Sequence, residues 1–234
     1  MTARLRLHGG YARSVGFGKA VRSRAPAPAV WLGVTGLGAS ALLRLSFSTR
    51  EGSSHFYLFT AGLTGTLTAG ALSAGPVRWC DEEWHDRPAA AARDLVGVPA
   101  LVGAATFAGF YGAARVVRRH PALRRTIASV FRYADEGSTP LVVLIAAGGG
   151  VAEELFYRGA LWHGPHPLQS TTLAYATSTA AAGNPALVLA GLVTSLIFGW
   201  QRSVSGGVLA PAVAHVTWSV LMLRHIPPLF RDTD

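Results

Sequence analysis

The chain is short of charge, of lysine and of cysteine. Charged residues fill 14% of its 234 positions, whereas a soluble domain carries about 25%. That deficit argues against a soluble helical protein, because the charged outer faces its helices would need are missing. One cysteine, Cys80, excludes an internal disulfide and any thiol-rich metal site. Lysine is reduced to Lys19, so the 21 basic residues are otherwise arginine, and against 12 acids they leave a net charge of +9. Nucleic-acid binding would be one use for that balance. The arginines, however, gather within Arg4–Arg24 and Arg115–Arg132, both next to apolar runs. Such clusters serve as topology signals and as contacts to anionic lipid, so lipid is the expected partner and nucleic acid is not. The basic amino terminus lacks signal-peptide order and is expected to remain as a cytoplasmic tail.

What is abundant is apolar. Half of the residues are hydrophobic and the mean hydropathy is +0.32. Runs of spanning length, about 17–25 residues, fall at 29–48, 56–75, 94–117, 139–162, 185–201 and 206–223, with a marginal Thr/Ala-rich seventh at 169–183. Gly and Ala recur in all of them, as expected where helices pack closely in lipid. The expected fold is therefore all-α: a polytopic transmembrane helical bundle of about six to seven spans in the cell membrane. The segments expected are a basic tail at 1–28, membrane segments over 29–138, a helical core over 139–223 and a tail at 224–234. Within the second of these, the stretch 118–134 sets five arginines around apolar residues and predicts an amphipathic helix on the membrane surface. Three candidate spans separate the two basic clusters, so the positive-inside rule does not fix the orientation.

Against this background "VAEELFYRGALW", residues 151–162, stands out. Ionisable groups inside a membrane cost about 3 kcal/mol each on insertion scales, so they are functional or tightly paired. Glu154 and Arg158 are four apart and share a helix face, where they neutralise each other. Glu153 is turned about 100° away and has no such partner in its segment. This predicts a structural Glu154–Arg158 pair and a Glu153 free for chemistry. His215 lies in the last span with Ser219 one turn on, and "IFGWQR" brings Phe198 and Arg202 to the end of the preceding one. If 169–183 crosses, Glu153, Arg202 and His215 converge within about two helical turns of depth. The histidines of "HGPHP", His163 and His166, are expected in a loop.

With these residues in hand, the chain resembles the family of the CAAX prenyl protease 2 and the CAAX-protease and bacteriocin-processing enzymes, intramembrane glutamic endopeptidases. That family carries Glu-Glu-x-x-x-Arg, then Phe-x-x-x-His, then His-x-x-x-Asn or a similar small residue, on successive helices. The first motif is complete here as Glu153, Glu154 and Arg158, and the third is His215 with Ser219. The second departs, because Arg202 follows Phe198 where the family has His. The resemblance covers about residues 139–223. It implies that Glu153 activates a water, that Glu154 and Arg158 hold the helix geometry, and that His215, with Ser219 and Arg202, binds the oxyanion. A permanently protonated Arg202 donates but cannot accept a proton.

Family members have also been described as metalloproteases, since Glu and His ligate zinc. With Arg202 in place of His, the remaining donors make a poor zinc site, and no cofactor is expected. The leading expectation is hydrolysis of membrane-associated peptides or proteins. A catalytically impaired membrane scaffold that binds peptides is the alternative that Arg202 supports, and an ion-coupled transporter is a third use of intramembrane Glu, Arg and His.

Overall fold

The computed structural model describes residues 29–84, 88–135 and 139–230; the expected basic tail at 1–28 lies outside them. Helices α1 (Ala29–Ser46), α2 (Ser54–Ser73), α3 (Pro88–Ala92), α4 (Val98–Val117), α5 (Pro121–Asp135), α6 (Thr139–Glu153), α7 (Pro167–Ala180), α8 (Pro185–Ser205) and α9 (Leu209–His225) follow one another, and no strand occurs among the described residues. Two π-helical segments interrupt this order, Arg93–Gly97 leading into α4 and Glu154–Ala160 extending α6. The chain is an all-helical bundle.

Its surface explains the missing charge. Leu37, Leu101, Leu144, Leu173 and Val204 are all more than two-thirds exposed, an outward face that only hydrocarbon solvates without penalty. Among the described residues, four stretches are long and apolar enough to cross a membrane: Ala29–Ser46, Ala90–Val117, Pro140–Ala160 and Pro185–Ser205. This is fewer than the six to seven spans the apolar runs suggest, and the reason is local. Helix α9 has 17 residues, and α7 has 14, about 21 Å of rise against a core of about 30 Å. Six polar Ser and Thr residues dilute the 20 residues of α2.

Successive long helices run in alternating directions, which gives the bundle two distinct ends. At one end, α5 lies across the ends of α1 and α7 and the start of α8. The Tyr133 hydroxyl donates to the carbonyls of Phe47 (3.1 Å) and Thr49 (2.9 Å). Asn184 donates to the Thr126 carbonyl (2.9 Å) while its own oxygen caps α8 through the amide of Ala186 (2.9 Å), the role Asn favours at a helix start. Burial, with Glu51 beside it, pushes the Tyr133 phenol above its ordinary range, so it stays a donor. The apolar face of α5, Ile127 and Phe131, packs on the bundle, and Arg125 and Arg132 lie exposed on the opposite, polar side.

At the other end the loop after α2 closes the turn between α8 and α9. Val208 and Leu209 donate to the carbonyls of Arg78 and Trp79, both at 3.0 Å. Gly206 ends α8 in the left-handed region, φ +70°, and a side chain there would run into the Asp81 carboxylate. Residues 224–230, expected as a tail, instead finish α9 and form a turn in which Ile226 and Phe230 are buried against Ala114.

Candidate active site

Residues Glu154–Ala160 do not continue the α-helix in which the pair Glu154–Arg158 was expected. Their turn is π-helical, with the amide of Leu161 reaching back to the carbonyl of Phe156 (2.8 Å). π-turns inside α-helices are rare and concentrate at functional sites. Phe156 and Tyr157 fill the core here at 0% and 3% exposure, so packing against α1, α2 and α7 holds the wider turn open.

The expected pair forms nonetheless. Arg158 Nη1 donates to Glu154 Oε1 at 3.1 Å, and Nη2 donates to the Ser195 hydroxyl (2.9 Å) and carbonyl (3.2 Å) on α8. Arg158 is 1% exposed and Glu154 0%. A buried charge pair is tolerable only when such extra hydrogen bonds accompany it. Glu154 Oε1 also meets His215 Nδ1 at 2.8 Å, so one carboxylate oxygen fixes both the arginine and the histidine. Gly150, one turn before Glu154 on α6, lets the imidazole approach: a β-carbon there would stand 3.2 Å from the His215 ring. Phe198 packs on the other side of the imidazole, ring centroids 5.0 Å apart.

Glu153 is placed differently. Its side chain keeps 23% exposure and borders an apolar cavity of about 270 Å³ that His215, Trp218 and Ser219 also line. His215 Nε2 lies 3.8 Å from Glu153 Oε2. The Tyr175 hydroxyl of α7 donates to the same oxygen at 2.5 Å. Tyr175 went unnoticed in the sequence because it lies 22 residues from its partner in the marginal Thr/Ala-rich segment. A lone intramembrane tyrosine beside no motif carries no signal.

The expected meeting of Glu153, Arg202 and His215 is realised for two of the three. Arg202 Nε donates to the main-chain carbonyl of Arg158 at 2.8 Å, and its guanidinium lies over the Trp162 ring at 5.7 Å; it does not line the cavity. The expectation that it clamps an oxyanion is corrected by that geometry. The last carbonyls of a helix have no partner within it, and a cation near that end is favoured. Arg202 caps the π-segment. His163 and His166 are exposed in the connection to α7, as expected.

For a metal, the donors facing one another are the carboxylate of Glu153 and Nε2 of His215, because Glu154 Oε1 and His215 Nδ1 are engaged with each other and with Arg158. Catalytic zinc takes three protein ligands, and the described residues hold no group of three or more candidate ligands.

No curated protein and no solved structure matches the chain. Residues 135–221 match the family model described as type II CAAX prenyl endopeptidase, Rce1-like. Glu153, Glu154, Arg158, Arg202, His215 and Ser219 all fall inside that stretch.

Proposed function

We propose that the protein is an intramembrane endopeptidase of the cell membrane in which Glu153 draws a proton from water. The observation that carries this reading is the contrast between two adjacent carboxylates. Glu154 is wholly buried and bound by Arg158 and His215, whereas Glu153 reaches the cavity. In a peptidase reaction, water attacks the scissile carbonyl as its proton passes to Glu153, and the nitrogen later leaves with that proton. His215, held through Nδ1 by Glu154, presents Nε2 toward the oxyanion, with Ser219 alongside.

The peptides or proteins cleaved are membrane-associated. The apolar lining supports an apolar group next to the scissile bond, in keeping with the prenyl substrates named in the family description.

The test compares newly formed peptide termini in membranes of cells making the native chain or Glu153→Gln at equal abundance. Termini that vanish in the variant support the reading. Termini identical in both overturn it and favour the scaffold, the reading to which Arg202, bound to a main-chain carbonyl rather than serving as a base, lends its weight.

A further inference from the structure

In the family pattern a histidine stands where this chain has Arg202, and Arg202 is turned to the carbonyl of Arg158. A different side chain occupies the place beside the reactive carboxylate. Tyr175 donates its hydroxyl to Glu153 Oε2 at 2.5 Å, shorter than the 3.8 Å from His215 Nε2 to that oxygen. Its ring is held on several sides. The Arg158 guanidinium lies over it at 5.2 Å from the centroid, Tyr157 meets it edge-on at 4.9 Å, and Gly191 of α8 stands so close that a β-carbon would lie 3.1 Å from its edge. A phenol fixed so firmly, with a cation over its face, makes a directional and strengthened donor.

We infer that Tyr175 is the positioning residue of the site, holding Glu153 Oε2 so that Oε1 is the oxygen that takes the proton from water. This rests on the proposed peptidase reading. The chemistry balances without a change at Tyr175. The water proton goes to Glu153 Oε1, the hydroxide oxygen bonds to the carbonyl carbon, the C–N bond breaks, and the amine departs with the proton from Oε1. The phenolic proton stays on Tyr175 throughout. Arg158 thus has two functions, one through Glu154 and one through the ring of Tyr175, and the first motif reaches the base by way of a residue outside all three motifs.

The experiment uses the full-length protein in lipid vesicles and has two arms. In the first, the infrared difference between native protein and Glu153→Gln isolates the carboxyl bands of Glu153, and the same difference is taken in a Tyr175→Phe background. The bands are expected to change frequency when the hydroxyl is removed; identical bands overturn the inference. If Tyr175→Phe fails to fold, a fluorinated tyrosine at 175 keeps shape and hydroxyl while altering donor strength, and the same comparison applies. In the second arm, the rate of Glu153-dependent terminus formation is measured. Tyr175→Phe is expected to lower kcat about 10- to 100-fold with KM unchanged, the worth of a hydrogen bond to a charged group. The neighbouring Tyr157→Phe is expected to remain within about threefold of native. A loss confined to KM, or an equal loss in both variants, overturns the inference. If the native protein forms no Glu153-dependent termini, the peptidase reading fails, and the infrared arm still decides whether Tyr175 holds Glu153.

Discussion

Replacing Arg158 by Met tests the most deeply buried part of the site. The change keeps length and removes a cation that is 1% exposed, together with its donations to Glu154 (3.1 Å) and to the hydroxyl and carbonyl of Ser195 (2.9 and 3.2 Å). Glu154, itself 0% exposed, is left with His215 as its one remaining partner in the cluster. Breaking a buried ion pair from one side costs about 3–5 kcal/mol. Each kcal/mol moves the midpoint by about 2–4 °C in a chain of this size, so a loss of about 6–20 °C is expected. The assay is thermal unfolding in detergent followed by tryptophan fluorescence, with Trp218 of the cavity wall among the reporters. The decisive comparison is the double variant Glu154→Gln/Arg158→Met, in which no charge is stranded. It is expected to recover at least half of the lost stability, a coupling of about 2 kcal/mol or more. A single variant as stable as the native chain, or a double variant no better than the single, would refute the claim that these charges hold the segment together.

Three further outcomes follow from the geometry. Gly150→Ala is expected to displace the His215 ring, since the new β-carbon would stand 3.2 Å from it, and to lower the rate of Glu153-dependent cleavage at least about tenfold while the protein still folds. Arg202→Gln is expected to cost about 1 kcal/mol through the lost carbonyl cap and to leave the cleavage rate within about threefold; a loss of a hundredfold would return Arg202 to the reaction. Asn184→Ala removes both the α8 cap and the tie to α5, so a loss of about 1–2 kcal/mol is expected, with faster hydrogen exchange in α5 read by mass spectrometry.

Much of this architecture is written plainly in the chain. The long apolar runs end within a few residues of the helices they predict, because Asn184, Pro185 and Gly206 punctuate them with unambiguous backbone chemistry. The arginines of 118–134 likewise give away α5, since alternation of charge and apolar side chains at helical spacing has few other uses. Glu154 and Arg158 were readable as a pair from their spacing alone. The direction in which Arg202 points was not: the motif supplies its position, while the unpaired carbonyl that attracts it exists only once the π-turn has formed. Tyr175 was hidden for a related reason. Its significance lies in a contact between α6 and α7, and nothing in the pattern of either helix encodes the other.

The π-turn also bears on how such a chain can change in length. Seven residues occupy Glu154–Ala160, and removing any one of them would let the segment close as an ordinary α-helix with better local bonding. The residues inside the segment would then take new bearings about the helix axis while the helix beyond stayed close to its present register. Phe156 and the Arg158 carbonyl would no longer meet the core and Arg202 as they do now. Shortening the exposed connection at 163–166 has no such leverage. Insertions and deletions in descendants of this sequence should therefore collect in the connection and spare the seven residues before it, where losing a residue makes a better helix and a worse protein.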